Sequence, residues 1–294
     1  MSITAEIIHI IDGLSDHERE RFLGLLRNAA GGERFWEGGV AAVYHEYVKT
    51  RSNNDLASAS FDPGVADGVF APIPVIKRYP STCRIELPKS TLPRADLGGL
   101  LQSRRSRRET CSAQLSQGEL AMLLRYAAGV TGTASGYGYQ ALPLRTFPTC
   151  GGLQSPEIYA SVQNVPGIEP GIYHYEARQH TLALVRAGHQ GQAISKVALD
   201  QPFIESAPLV LLMAGSFDRL RWKYGERAYR YMCADIGCLT QNLYLVGEAL
   251  ALSVCAIAGF IDDGIEGLIG LDGEGELALL LVTIGKPPGG AVDP

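Results

Sequence analysis

The sequence predicts an α+β fold, because strands and helices alternate along it without the regular strand–helix–strand rhythm of a parallel sheet. Short apolar runs that end at glycine, proline or polar residues are typical of strands inside a sheet. Such runs predict five strands, over Ile158–Val162, Gly171–Tyr175, Leu182–Val185, Leu209–Gly215 and Leu277–Ile284.

Two long apolar segments predict the main helices. The first helix begins at the capping box Ser116–Glu119 and ends at Gly129, and the second runs from about Tyr231 to Leu252. Because both are apolar around most of their circumference, we expect them to be buried centrally or to lie at a subunit interface. After the first helix, the glycine- and tyrosine-rich segment from Gly132 to Tyr139 predicts a loop.

The secondary-structure signals of residues 1–95 are less sharp than those of residues 96–294. Residues 1–95 are therefore predicted to form an N-terminal extension of the main domain. From Arg51 to Pro88, asparagines and prolines predict an extended segment with little regular structure. Before it, helices are predicted near Ile7–Ile11, after a capping box at Ser15–Glu18, and over Val40–Val48.

Composition excludes several classes of protein. The chain has 294 residues, of which 46% are hydrophobic, and a formal net charge of −5. This hydrophobic content excludes disorder, the acidity argues against nucleic-acid binding, and no apolar run reaches the roughly 20 residues of a membrane span. The N-terminus has no secretion signal and the six cysteines form no CxxC pair, so we expect a cytoplasmic protein with reduced, mostly buried thiols and no metal site.

The run Arg104-Arg105-Ser106-Arg107-Arg108 places four guanidinium groups within five residues. Arginine binds phosphate through two parallel hydrogen bonds, and in an acidic protein such a run indicates a small phosphorylated ligand more than a polymer. A solvated basic turn has the same composition, and the run alone favours that simpler interpretation. Neither of the common glycine-rich phosphate loops occurs in the chain.

Two further segments carry groups suited to ligand binding or proton transfer. In residues 148–153, Pro-Thr-Cys-Gly-Gly-Leu, the glycine pair lets backbone approach a flat ligand closely. Lys223 and Tyr224 stand among basic residues, where partial desolvation can lower the pKa of a lysine toward neutrality and make it a base. Taken alone, the first segment also fits a plain turn and the second the start of an amphipathic helix. No nucleophile or metal-binding motif supports a hydrolase or a metalloenzyme.

In this order, the segments resemble those of nitroreductase-type flavoproteins, and in particular the branch of SagB-type azoline dehydrogenases. The resemblance covers roughly residues 40 to 290. The matching segments are the arginine run (R-R-S-x-R), residues 148–153 with Glu157 and Tyr159, the Lys223-Tyr224 pair, residues 241–245 and 256–260, and the closing strand from Glu276 to Pro287.

The resemblance implies an FMN-dependent enzyme with a mostly antiparallel central sheet flanked by helices. It implies a homodimer with the long central helix at the interface. The expected reaction oxidises thiazolines or oxazolines of a modified precursor peptide to thiazoles or oxazoles, in ribosomal-peptide natural-product biosynthesis, and a cyclodehydratase is the expected kind of further partner.

The resemblance also assigns site residues. Lys223 or Tyr224 would remove the α-proton of the azoline while a hydride passes to the flavin. Contacts to FMN would come from Arg104, Arg105, Ser106 and Arg108 at the phosphate, ribityl chain and pyrimidine edge, from Pro148, Thr149 and Cys150 at the ring face, from the backbone of Ala258 and Gly259 at the N5 and O4 edge, and from Lys286 as a remaining cation for the phosphate.

Two alternatives stay open from the sequence. One is a related flavin oxidase that desaturates a cyclic dipeptide or another amide. The other is a non-catalytic subunit that binds the precursor peptide for a synthetase, in which the N-terminal helices would take part.

Overall fold

The computed structural model describes residues 74–288 except Ser112, together with four helical residues before them, Arg19, Glu20, Leu23 and Tyr44. Apart from these four, the predicted N-terminal helices lie outside the described residues. Contacts between Cα atoms divide the chain into two compact units, Met1–Ser60 and Phe61–Pro294, and the fold below is that of the second. The predicted boundary between residues 95 and 96 stays a prediction.

The strands of the described part follow the predicted apolar runs. They are β1 (Arg84–Glu86), β2 (Val130–Gly136), β3 (Tyr139–Arg145), β4 (Pro156–Val162), β5 (Gly171–Glu176), β6 (Thr181–Ala187), β7 (Leu209–Ser216), β8 (Ser253–Ile257) and β9 (Glu276–Gly285). Seven of them form one sheet in the order β1–β6–β5–β4–β7–β9–β8, in which all neighbours are antiparallel. This confirms the predicted antiparallel α+β arrangement and all five predicted strands.

Helices cover both faces of this sheet. In the described part they are α1 (Leu97–Ser103), α2 (Gln117–Ala128), α3 (Gly191–Val197), α4 (Pro202–Ser206), α5 (Asp218–Tyr224), α6 (Ala228–Ala249) and α7 (Asp262–Ile269). On one face, α2 and α6 pack on residues such as Leu211, and on the other α3, α4 and α7 pack on residues such as Leu212. Because both faces are covered, strand β7 is buried at every position.

Helix α2 begins as its sequence predicts. The side chain of Ser116 accepts a hydrogen bond from the Glu119 amide, and the Glu119 carboxylate accepts one from the Ser116 amide in return. This reciprocal cap satisfies two amides that the first turn of a helix otherwise leaves without partners. The predicted capping box is therefore confirmed.

Two expectations are wrong. The segment from Gly132 to Tyr139 is not a loop, because β2 pairs with β3 as a separate two-stranded hairpin, with its turn at Tyr137 and Gly138. The thiols are also not mostly buried, since Cys255 alone among the six cysteines is buried. The hairpin forms by pairing of two neighbouring segments, and the exposure of the thiols depends on how distant segments pack.

Helix α6 buries one face and leaves another open. Its buried residues include Met232, Ile236, Leu239 and Leu243, whereas Gly237 and other small residues on the opposite side are exposed in the single chain. In the described part of the chain, no helix combines the length and apolarity needed to cross a membrane.

We predict that Gly247→Ala lowers the free energy of unfolding by about 1–2 kcal/mol. The added Cβ would overlap Cγ2 of Val254, a buried and stiff β-branched side chain on β8. The gain in helix propensity, about 1 kcal/mol, offsets only part of this loss. Urea denaturation measures the change.

The matched control is Gly267→Ala on α7, where a new Cβ meets no described atom within 4 Å. This variant should gain up to about 1 kcal/mol from helix propensity alone. Equal effects of the two substitutions would contradict the close packing of α6 on β8.

Candidate active site

Lys223 and Tyr224 form the last turn of α5, and their polar atoms converge on the short 3-10 turn Cys150–Gly152. A Cβ on Gly151 would overlap the Tyr224 hydroxyl and lie 3.3 Å from Lys223 Nζ. Gly151 also has a φ of 63°, in the left-handed region that glycine adopts without strain. The structure therefore brings the predicted proton-transfer pair against the segment predicted to approach the flavin ring.

The ammonium of Lys223 is surrounded by phenols. It donates a hydrogen bond to the Tyr137 hydroxyl at 2.5 Å and lies 4.1 Å from the Tyr137 ring centre and 4.9 Å from that of Tyr224. Burial lowers the pKa of Lys223, but hydrogen bonds to the two phenols outweigh burial and raise it. Among the basic residues expected to lower it, Arg221 is paired with Glu226 at 3.0 Å. The expected lowering of the Lys223 pKa is therefore wrong.

The phenol of Tyr224 is also held in its protonated form. Burial raises its pKa, and the neighbouring Lys223 ammonium reverses only part of that rise. Both members of the pair therefore carry their protons at neutral pH in the free protein.

A buried ion pair anchors α5 to the sheet. The Arg219 guanidinium lies 2.6 Å from the Glu157 carboxylate on β4, and it also donates to the backbone carbonyls of Gln154 and Pro74. The second carboxylate oxygen of Glu157 lies 2.8 Å from His174 Nε2. Burial raises the pKa of Glu157, but the Arg219 charge and the His174 hydrogen bond outweigh it and hold the pKa well below its usual range. Glu157 thus positions α5 from within the sheet.

Asp235 on α6 fixes the turn from its other side, a role that the sequence analysis missed. Its carboxylate accepts hydrogen bonds from the Cys150 amide at 2.8 Å and from the Ser155 hydroxyl at 2.7 Å. Pro148 is exposed and Thr149 half-buried where the chain enters this turn. Burial, together with the Asp235 charge, raises the pKa of the Cys150 thiol to about 12, so the thiol is not a nucleophile at neutral pH. In the sequence, the one sign of this role of Asp235 is that an acidic residue stands inside an otherwise apolar helix.

The arginine run is tied to α6 and β8 through Tyr244. The Tyr244 hydroxyl lies 2.9 Å from Ser106 Oγ and accepts the Ala256 amide at 2.9 Å. The Arg104 guanidinium lies 5.1 Å from the centre of the Tyr244 ring, where the ring face attracts a cation. The run is therefore held in a defined place on the core.

The partners of the four guanidinium groups distinguish them. Arg107, which was not predicted to bind a cofactor, forms an ion pair with Glu248 at 2.5 Å. Arg104, Arg105 and Arg108 form no ion pair among the described residues, and the bonds of Arg105 go to backbone carbonyls. The charge of Arg104 also helps to lower the pKa of Glu248. Three guanidinium groups without a paired carboxylate suit an anionic group such as a phosphate.

Lys286 differs from these arginines. Its backbone lies beside the segment that follows them, since its carbonyl accepts the Cys111 amide at 2.9 Å. Its ammonium, however, forms an ion pair with Glu119 of the capping box. Burial raises the pKa of Glu119, but the hydrogen bonds from Lys286 and Ser116 outweigh burial, so the pKa lies below its ordinary value.

Ala258 and Gly259 are exposed directly after β8, and a Cβ on Gly259 would lie 3.4 Å from Leu199. The arginine run and the Cys150–Gly152 turn are both attached to α6, through Tyr244 and Asp235. These two residues are nine positions apart, so the two points of attachment lie about 14 Å apart along the helix axis at 1.5 Å per residue. Helix α6 is therefore their common scaffold.

We predict that Glu157→Gln lowers the free energy of unfolding by about 3 kcal/mol at neutral pH, because it leaves the Arg219 charge buried without a counter-charge. The folded-state pKa of Glu157 is depressed below its ordinary 4.5, so its stabilisation is complete above that value and is lost as the pH falls toward the folded-state pKa. The difference between variant and wild type should therefore shrink between about pH 5 and pH 3.

Chemical denaturation across this pH range measures the difference. Glu226→Gln is the control, because its pair with Arg221 is largely exposed and should contribute less than about 1 kcal/mol. A Glu157→Gln deficit that stays constant down to pH 3 would contradict the assigned pairing.

Comparisons with known proteins agree with this architecture. A family model described as the nitroreductase family matches residues 101–286. The nitroreductase MJ1384 of Methanocaldococcus jannaschii is 33% identical over 205 residues, which is 70% of this chain and 97% of that protein. The trifolitoxin-processing protein TfxB of Rhizobium leguminosarum bv. trifolii is 29% identical over 164 residues, 54% of this chain and 44% of TfxB.

Solved structures are also similar. A nitroreductase structure from Anabaena variabilis has a TM-score of 0.67 and 26% identity, covering 83% of this chain and 45% of that one. The E. coli microcin synthetase McbBCD complex with truncated pro-MccB17 bound has a TM-score of 0.51 and 21% identity, covering 70% and 76%. The chain thus spans less than half of TfxB and of the Anabaena protein. The matches confirm the predicted nitroreductase-like fold and the predicted cofactor, FMN, and the chain belongs to the nitroreductase family.

Proposed function

We propose that the chain is an FMN-dependent dehydrogenase that oxidises thiazolines or oxazolines of a modified precursor peptide to thiazoles or oxazoles. The observation that carries this proposal is the convergence of Lys223 Nζ and the Tyr224 hydroxyl on Gly151. A nitroreductase-family oxidoreductase needs no such lysine–tyrosine pair for hydride transfer alone, but removal of a substrate proton does need positioned proton-transfer groups. The likeness to TfxB, a protein named for toxin processing, supports a peptide substrate.

The residues of the arginine group fit FMN. Arg104, Arg105 and Arg108 would hold its phosphate, since they form no ion pair among the described residues, while Ser106 would add a hydroxyl. The paired ammonium of Lys286 leaves the phosphate to the arginines.

The flavin ring would lie against two other segments of the chain. The turn formed by Pro148, Thr149 and Cys150 would face it from one side, and the backbone of Ala258 and Gly259, exposed beyond β8, would meet its polar edge. When bound, FMN accepts the hydride that leaves the azoline ring.

The chain's own part in the reaction is to remove and hold the α-proton of the azoline. Lys223 or Tyr224 takes it, with the substrate seated above Gly151. Because both groups carry their own protons at neutral pH, only a small fraction of the free enzyme has the base in its active form.

The open face of α6, which includes Gly237, is the surface we propose for pairing with a second copy. We also keep the predicted cyclodehydratase partner and a cytoplasmic location as proposals. The McbBCD complex, solved with truncated pro-MccB17 bound, is only 21% identical to this chain, so that likeness supports the fold alone.

We predict that Lys223→Ala and Tyr224→Phe retain bound FMN, seen in the visible absorbance, but lose at least about 100-fold in azole formation, the scale of general acid–base catalysis. Anaerobic bleaching of the flavin by an azoline-containing peptide, followed by mass analysis of the product, measures the loss. Lys196→Ala, which removes an exposed lysine from α3, is the control and should behave as wild type.

Full turnover in both site variants would refute the assigned roles. Bleaching by a cyclic dipeptide, but not by an azoline peptide, would indicate the oxidase alternative instead. Purified protein that takes up no FMN would support the non-catalytic alternative.

We further predict that the anaerobic bleaching rate rises with pH, by up to about tenfold per unit, from neutral pH into the alkaline range. The pKa values of Lys223 and Tyr224 are raised from their ordinary values of 10.5 and 10.0, so the deprotonated fraction of either group grows throughout this range. A rate that is flat or falls between pH 7 and 9.5 would contradict proton removal by this pair.

A further inference from the structure

Tyr137 stands at the turn of the β2–β3 hairpin in a conformation that tyrosine rarely adopts. Gly136 pairs with Tyr139, so Tyr137 and Gly138 are the two central residues, with φ values of 51° and 78°. Two-residue turns with positive φ at both positions favour Asn-Gly or Asp-Gly, whereas a bulky residue in the first position is strained. The hairpin alone gives no reason for a tyrosine here.

The side chain of Tyr137 reaches across to α5. Its hydroxyl accepts the hydrogen bond from Lys223 Nζ, and its ring meets the Trp222 ring edge-on with 5.8 Å between centres. The phenol is still 41% exposed, so it lies at the rim of the site rather than in the core. The contact joins residues that are 86 positions apart in the chain.

We propose that Tyr137 is a positioning residue for Lys223, whose ammonium it holds beside Tyr224 and Gly151. The role rests on the proposed function, because it concerns the lysine to which we assign proton transfer. The strain at Tyr137 is then the consequence of placing a phenol, which can both accept a hydrogen bond and attract a cation, at the tip of the hairpin.

Several groups face Lys223. Tyr137 approaches from the hairpin and Tyr224 from its own helix, and the Cys150 thiol of the 3-10 turn lies near Tyr224. Of these groups, only the Tyr137 hydroxyl can be removed without changing Lys223, Tyr224 or the Cys150–Gly152 turn. A substitution at Tyr137 therefore tests its effect on Lys223 separately from the catalytic pair.

The first readout does not need activity. In protein labelled with ¹³C-lysine, the pH titration of the Lys223 ε-carbon, assigned through the missing signal of Lys223→Arg, reports the proton affinity of the ammonium. In Tyr137→Phe the lost hydrogen bond should measurably lower the pKa of Lys223, because burial continues to lower it. Tyr229→Phe, another largely exposed phenol, whose neighbours include Cys233, is the matched control and should not shift it.

The second readout is the pH profile of anaerobic flavin bleaching by an azoline peptide. In Tyr137→Phe the rising part of the profile should move to lower pH by as much as the Lys223 pKa moves. Tyr137→Asn should show the same shift with a smaller loss of Tm than Tyr137→Phe, since asparagine tolerates the positive φ. A lower Tm without either shift would indicate a merely structural role and overturn the proposal.

Unchanged titration of Lys223 in Tyr137→Phe would also overturn it, whatever the activity. If an azoline peptide fails to bleach even the wild-type flavin, the proposed function fails, while the titration still decides whether Tyr137 holds Lys223.

Discussion

The place of helix α5 on the sheet depends on one buried ion pair, between Arg219 on the helix and Glu157 on β4. Moving two charges out of water costs several kcal/mol for each ion, unless other polar groups replace the lost hydration. Here two backbone carbonyls accept hydrogen bonds from the guanidinium, and His174 meets the carboxylate. Since these bonds have fixed directions, they hold α5 in one position and orientation.

The same guanidinium fixes both sides of the candidate site. Helix α5 has only seven residues, too few to be stable by itself, so its geometry follows from tertiary contacts, namely the Arg219 ion pair and the packing of Leu220 in an apolar cluster. Arg219 also binds the carbonyl of Gln154, in the loop that continues from the Cys150–Gly152 turn. Arg219 therefore ties the helix that carries the lysine–tyrosine pair to the loop after that turn, and Asp235 holds the turn itself.

Much of the fold could be predicted because the signals are local. Strands covered by helices on both faces are apolar throughout, so runs such as Leu209–Gly215 stand out, and the capping box Ser116–Glu119 marks a helix start by itself. The β2 strand lacks such a signal, since its glycines, threonines and serine become a strand only by pairing with Tyr139–Arg145.

For the site, sequence motifs identified the arginine run and the lysine–tyrosine pair but not their surroundings. The direction of the Lys223 pKa depends on Tyr137, and the position of Cys150 on Asp235, and both partners are distant in the chain. Nothing local distinguishes Arg107, which pairs with Glu248, from the neighbouring arginines, which form no ion pair among the described residues. Such pairings follow from the folded geometry alone.

The energies at the hairpin tip explain how a strained residue can persist there. A non-glycine residue in the left-handed region costs about 1 kcal/mol or more, whereas a hydrogen bond from a charged donor contributes about 1.5–3 kcal/mol. The bond from Lys223 to Tyr137 is therefore of the same size as the strain and can offset it, although exposure of the phenol weakens the bond. The strained tyrosine persists at the tip of the hairpin because its hydroxyl meets the ammonium there.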